Sequence, residues 1–285
     1  MSATSYAASI IETALASEQP ILRFGTFTLK SGRSSPYFFN FGLFNTGSLL
    51  LALASAFADA ILDAYPEIGS SSAGPDTPKV LFGPAYKGIP LVAAIASELA
   101  RRGRDIGYSY NRKEKKDHGE GGSIVGAPLK GQKVLIVDDV ITAGTAIREA
   151  HKIVESEGGQ TAGIVEALDR EERGQGELST VQEVEKELGV KVTSVVKMRD
   201  IVAWLKEKGK LDEMKAMEEY RANLPIYLDL HRNAHRFRFP TVCVHLARFD
   251  KLRRLLQTAL NPARQCSIST GRLRNGSDAG VAPRV

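Results

Sequence analysis

Apolar and polar positions follow two rhythms along the chain, and the switches between them outline alternating helices and strands. Residues 3–17 put Ala7, Ile10, Ile11, Ala14 and Leu15 on one stripe, the spacing of a helix that stops near Gln19-Pro20. Two aromatic-rich pieces, 26–29 and 37–40, flank a Ser-Gly-Arg-Ser-Ser-Pro turn and predict strands. Thr46 or Ser48 can cap a helix over 48–64 that is apolar nearly all round and so belongs in a core. A Gly/Ser/Pro-rich surface loop, 69–78, precedes a short buried strand at 79–83 and a helix at 87–102. A strand at 106–110 runs into a charged loop, 111–122. Beyond it come a strand at 133–137, a helix at 143–158, a strand at 162–168 and a helix at 177–188. A last strand at 190–196 and one or two short helices over 198–220 follow.

Strands alternating with helices of this length imply βαβ units and hence an α/β fold, a mostly parallel sheet flanked by helices on both faces. The N-terminal strands, about residues 20–45, are expected to form a small hood subdomain over the ligand site. No internal repeat is visible in the sequence.

Composition changes this picture at one place. Hydrophobic residues make up 43% and charged residues 25% of the 285, the balance of a soluble globular protein. No apolar run is expected to reach the length of a membrane span. The N-terminus lacks the basic-then-apolar order of a secretory signal, and no Arg precedes Arg23, so a cytoplasmic location is expected. The net charge of +5 is unevenly spread. Residues 222–285 hold ten Arg and one Lys against three Asp, a balance of +8, which leaves −3 for residues 1–221. The domain is therefore drawn over 1–221, and 222–285 is set apart as an Arg-rich tail. That tail reads as a disordered extension or a gene-model artefact, with a phosphate-binding arm as the third reading. Its cysteines, Cys243 and Cys266, are isolated, which suggests neither a zinc site nor a disulfide.

The candidate chemistry gathers after the apolar run at 134–137. Asp138 and Asp139 are followed by Val140, Ile141, Thr142, Ala143, Gly144, Thr145 and Ala146, a turn of small residues and hydroxyls that opens a helix. Such a turn aims backbone N–H groups and a helix N-terminus at an anion, while paired carboxylates suit sugar hydroxyls or a hydrated divalent cation. Together they ask for a sugar phosphate. A second turn, Phe82 to Pro90, frees backbone N–H groups and adds Lys87, where a diphosphate could lie. The loop from Tyr110 to Gly122 carries Arg112, Lys113, Lys116, His118 and three glycines. A solvated surface looks like this too. Between two strands of an α/β domain, though, such a loop can close over a leaving group and exclude water. Phe38 and Phe39 offer a stacking platform, although an aromatic pair is more often a piece of core. Arg170, beyond a strand end, presents a fork for a planar carboxylate.

The segment 138–146 resembles the ribose-phosphate signature of the type I phosphoribosyltransferases, which bind 5-phosphoribosyl-1-diphosphate. Adding Lys30 with Phe38-Phe39, Tyr86-Lys87, the loop from Arg112 to His118, and Asp169-Arg170, in that order and rough spacing, narrows the resemblance. The chain is similar to the orotate phosphoribosyltransferases over about residues 3–221, in particular to their monofunctional fungal form. By that resemblance Lys30, Tyr86, Lys87, Arg112, Lys113, Lys116 and His118 would contact the phosphoribosyl diphosphate. Asp138 to Ala146 would hold its ribose 5-phosphate, and Phe38, Phe39, Thr142 and Arg170 would hold orotate. The resemblance names Lys113, Lys116, His118, Asp138 and Asp139 as catalytic.

It further implies transfer of ribose 5-phosphate to N1 of orotate, in pyrimidine synthesis. Mg²⁺ would arrive on the diphosphate, with no direct protein cage and water-mediated contact at most to Asp138 and Asp139. A homodimer would share its sites, with Lys113 crossing to the neighbour. No membrane or nucleic-acid partner is expected. Two alternatives stand beside it: a phosphoribosyltransferase for another base, and a phosphoribosyl-diphosphate-sensing regulator that binds nucleic acid through the tail.

Overall fold

Residues that alternate between the two faces of the central strands are buried on both sides, and this decides the architecture. The computed structural model describes residues 4–29, 32–116, 122–174 and 176–223, with the side chains at 115, 116, 122 and 223 left out. Lys30, His118, the Lys116 side chain and the tail past its first two residues therefore lie outside the described residues.

In chain order the elements are α1 (Ser5–Ala16), β1 (Leu22–Thr28), β2 (Ser34–Phe39), a 3-10 turn (Phe41–Leu43) and α2 (Gly47–Ala64). Then come β3 (Val80–Gly83), α3 (Gly88–Arg101), β4 (Gly107–Lys116), β5 (Gly122–Gly126) and β6 (Lys133–Val140). The last are α4 (Thr145–Ser156), β7 (Gln160–Asp169), α5 (Thr180–Leu188), β8 (Val192–Lys197), α6 (Met198–Glu207) and α7 (Leu211–Asn223).

The main sheet has the strand order β5-β4-β3-β6-β7-β8. All its pairs are parallel except the β4–β5 edge. Leu81, Leu135, Val137, Val165 and Ala167 point into a core shared with α1, α2, α3 and α6. Their neighbours Val80, Phe82, Val134, Ile136 and Ile164 point the other way, onto Ile147, Ala150 and Val154 of α4 and Val184 of α5. Strands buried on both faces need continuous apolar runs, which explains why 134–137 carries no polar residue.

Local signals fix the ends. The Thr46 side chain accepts from the Leu49 N–H at 3.3 Å and caps α2. Ser179 and Gln182 form a reciprocal capping box on α5, which Gly189 closes in the left-handed region.

The sequence expectations need two corrections. By length and composition α2 would suit a membrane span, with a mean hydropathy of 1.6 over 18 residues. Its Leu53, Ala54, Phe57, Ala58 and Ile61 are instead buried in the core, which accounts for its apolar character. The charged loop expected over 111–122 is, where described, mainly strand. β4 continues through Lys116, and β5, for which no element was expected, starts at Gly122 and pairs back on it. Ser123-Ile124-Val125 supply the β-formers, and Lys113 and Glu114 of β4 are exposed beside the edge strand.

The expected hood is a separate antiparallel pair, β1–β2, with Leu22 opposite Phe39 and a bulge between Phe24 and Phe27. Its inward residues Leu22, Tyr37 and Phe39 join the core of the main domain.

Candidate active site at the carboxyl ends of the central strands

The carboxyl ends of β3, β6 and β7 lie side by side, and the loops leaving them carry most of the residues singled out by sequence. β6 ends in Asp138, Asp139 and Val140, and the backbone at this end is tightly staked. The Asp139 N–H donates to Asp138 Oδ1, and the Val140 N–H to Asp139 Oδ1, both at 2.9 Å. Gly144 sits in the left-handed region at φ 74° as the N-cap of α4. The left-handed backbone favours glycine there, and a Cβ would also crowd Val184 at 2.9 Å. Arg148 Nη1 holds the Ala143 carbonyl at 2.8 Å. Among the described residues, no protein group accepts from the N–H groups of Thr142, Ala143 or Gly144. Thr142, Ala143, Thr145 and Ala146 are exposed. Unpaired N–H groups at a helix N-terminus form an anion site.

Asp138 is 7% exposed. Burial, followed by the charge of Asp139, pushes its carboxyl up to about 6. Asp139 is held by Lys87, whose Nζ lies 2.5 Å from Oδ2 and comes from the turn between β3 and α3. That turn is tight for a steric reason: a Cβ on Gly83 would overlap the Gly88 carbonyl oxygen. Asn111 on β4 takes the Ala85 N–H at 2.8 Å and ties the turn to the edge hairpin. Tyr86 is exposed, and Lys113 of the same chain lies 5.5 Å over its ring. Arg112 sits beside them on β4, half-buried. The structure thus gathers Tyr86, Lys87, Lys113, Asp138 and Asp139 in one neighbourhood. A cavity of about 430 Å³ opens next to it, lined by Lys87, Asp139, Ala167, Leu91, Phe41 and Thr46.

Arg170 follows β7 and is nearly buried. Its Nε donates to Glu172 Oε1 at 2.7 Å and its Nη2 to Ser35 Oγ at 3.0 Å, while its guanidinium lies 4.4 Å over the Tyr37 ring. Glu172 also accepts from Tyr220 of α7 at 2.8 Å and pairs with Arg33 of the hood at 3.8 Å. Arg170 is accordingly a latch between the hood and the end of β7. Phe38 and Phe39, grouped by sequence, are separated by strand alternation. Phe39 is buried and stacked on Phe41 at 4.5 Å, whereas Phe38 meets Phe27 at 5.7 Å beneath the Arg23 guanidinium. Phe39 is therefore core, and Phe38 alone keeps a partly exposed ring.

Sequence reading missed the acids beneath the site. Glu166, the register partner of Asp138, is 0% exposed, and burial pushes its carboxyl well above the usual range. Asp169 is raised to about 6, again chiefly by burial. A lone acid inside the run Ile164-Val165-Glu166-Ala167-Leu168 was the available signal, because a strand buried on both faces accepts a carboxyl only when it has partners. Asn111, Ser35 and Glu172, all supporting residues, gave no comparable sign.

Comparison with known proteins agrees with this geometry. The profile of the phosphoribosyl transferase domain matches residues 54–196. The orotate phosphoribosyltransferase of Thioalkalivibrio sulfidiphilus is 57% identical over 207 residues, covering 72% of this chain and 92% of that protein. Its counterpart from Pseudomonas aeruginosa is 52% identical over 211 residues, covering 73% and 94%. A crystal structure of orotate phosphoribosyltransferase from Francisella tularensis superposes with a TM-score of 0.65 at 39% identity, covering 75% of this chain and 97% of that one.

Proposed function

The chain belongs to the orotate phosphoribosyltransferases, and on that premise we propose how its own residues divide the work of one group transfer. The reaction moves ribose 5-phosphate from 5-phosphoribosyl-1-diphosphate to N1 of orotate. The bond from C1 of the ribose to the diphosphate oxygen breaks, the bond from C1 to N1 forms and the N1 proton passes to the departing diphosphate, giving orotidine 5′-monophosphate and diphosphate. Positive character grows at C1 while negative charge grows on the leaving group. Catalysis therefore rests on holding two substrates in line and on placing cations where the diphosphate departs.

The N–H groups and hydroxyls from Thr142 to Thr145 take the 5-phosphate, and Asp138 and Asp139 take the ribose hydroxyls. Lys87, Tyr86, Arg112 and Lys113 face the diphosphate, joined by Lys30, Lys116 and His118 by resemblance. Arg170 takes the carboxylate of orotate, with the Phe38 ring and Thr142 beside the base. The observation that carries this reading is the 2.5 Å contact of Lys87 with Asp139. It joins the two turns that the opposite ends of one phosphoribosyl diphosphate require.

The donor set suits a cation carried by the substrate rather than a resident one. The neighbouring carboxylates of Asp138 and Asp139 can meet a hydrated divalent ion. Mg²⁺ would supply charge neutralisation on the diphosphate, with Asp138 and Asp139 touching it through water. We read the enzyme as a cytoplasmic homodimer in which Lys113 acts on the neighbouring site.

The test is a base panel. Purified chain with 5-phosphoribosyl-1-diphosphate and Mg²⁺ consumes orotate, followed by its falling absorbance, and leaves uracil, adenine and hypoxanthine unchanged. Faster turnover of any of those three would overturn the assignment of orotate as acceptor.

A further inference from the structure

We propose that Glu166 is a positioning residue for the phosphoribosyl donor: from the floor of the sheet it fixes how the chain leaves β6, so that the turn beyond faces the 5-phosphate. The inference deepens the reading of residues 138–146 given above and rests on it. Glu166 lies on β7, fully buried, with Oε2 accepting from the Ile141 N–H at 2.9 Å and Oε1 from Ser194 Oγ of β8 at 3.1 Å. Ile141 is the first residue past β6, and its own side chain is anchored among Ile136, Ile147 and Val184.

Three successive N–H groups, those of Asp139, Val140 and Ile141, are therefore each taken by a carboxyl oxygen, and the next three are taken by none among the described residues. The switch from held to offered N–H groups falls at the residue Glu166 grips. A position needed only for packing would be filled more cheaply by an apolar side chain, as at Val165 and Leu168 on the same strand, because a buried carboxyl must be fully partnered to be tolerated.

Burial keeps the Glu166 carboxyl well above the ordinary range, and the nearby charges of Asp169 and Asp138 push the same way. The Ile141 N–H needs only an oxygen acceptor at this place, which the carbonyl of a side-chain amide also supplies. A neutral amide of the same shape should then do the same work.

Four variants test this: Glu166→Gln, Glu166→Leu, Ser194→Ala and, as a control on the turn itself, Thr145→Ala. For each, kcat and the KM of both substrates are measured beside the thermal midpoint. Glu166→Leu raises the KM for 5-phosphoribosyl-1-diphosphate about tenfold, the size of one lost buried hydrogen bond, and moves the orotate KM less than about twofold. Glu166→Gln stays within about twofold of the parent for both, and Ser194→Ala, which loosens the carboxyl, gives about a two- to threefold rise for the donor alone.

A folded Glu166→Leu with unchanged donor KM, or with both KM values raised by one factor, overturns the proposal. So does a Glu166→Gln variant as impaired as Glu166→Leu. If Glu166→Leu does not fold, an unchanged donor KM in Ser194→Ala does the same. Thr145→Ala separates the two layers. If it leaves the donor KM unmoved, the reading of the turn fails; if it raises that KM while Glu166→Leu does not, Glu166 alone is misassigned.

Discussion

At the scale of single residues, surroundings decide what a side chain can do. Arg170 could be read in the sequence as a carboxylate fork, but not that Ser35, Tyr37 and Glu172 would already hold it on three sides. A guanidinium fixed this way is pre-organised for a planar anion. Arg170→Ala should weaken orotate binding by about 1.5–3 kcal/mol, the worth of a charged hydrogen-bond partner, with little change for the donor. Separate KM measurements on the two substrates would reveal it. Phe38 and Phe39 teach the converse, since adjacent residues on a strand cannot share a face, and only the packing tells which one is core. The raised carboxyls give a prediction with a definite sign. Asp169 lies well above its ordinary value, at about 6, so folding favours its protonated form. Its ionisation destabilises the fold as pH rises from about 4 through about 6. Asp169→Asn should therefore melt higher than the parent at pH 7.5, by a margin that vanishes near pH 4. A margin that grew on acidification would mean the burial of this acid has been misjudged.

Among the elements, legibility followed burial. Both faces of β3, β6 and β7 are covered, so their apolar runs announced them, and the helices between them followed from their stripes. The β4–β5 hairpin did not announce itself, because an edge arm with one exposed side carries the charges of a loop. The turn between β3 and α3 was legible as a Gly/Pro motif, but its tightness was not. Gly83 and Gly88 pack backbone to backbone, so Gly83→Ala should cost about 1–3 kcal/mol as overpacking does, read as a lower denaturation midpoint. Elsewhere α2 and α3 are joined through buried Glu98, which binds Arg101 and Arg102, while Arg102 reaches Asp59 at 2.5 Å and the Ser55 hydroxyl at 2.6 Å. Those guanidinium groups hold the Glu98 carboxyl down at about 2. Glu98→Gln should destabilise by about 1–3 kcal/mol at neutral pH, measurable by denaturant titration. The parent would lose that advantage only in strong acid, as pH falls below about 4.5 toward 2.

For the whole molecule, the sequence conveyed the layered, mostly parallel sheet and the antiparallel pair of N-terminal strands, because both follow from chain order and strand alternation. The supporting acids escaped it, since their partners come from strands distant in sequence. Sharing of sites between subunits is a property of the assembly and has its own test. At an orotate concentration too low to occupy the Arg170→Ala site, mixing a Lys113→Ala subunit with an Arg170→Ala subunit should restore part of the activity that each lacks, and no recovery in verified mixed dimers would argue that each site is complete within one chain. The central claim, that the turn after β6 holds the 5-phosphate while its two acids hold the sugar, is tested most directly by the double variant Asp138→Asn/Asp139→Asn. With orotate, 5-phosphoribosyl-1-diphosphate and Mg²⁺, the folded double variant should show almost no fall in orotate absorbance, whereas turnover at the parent rate would contradict the claim.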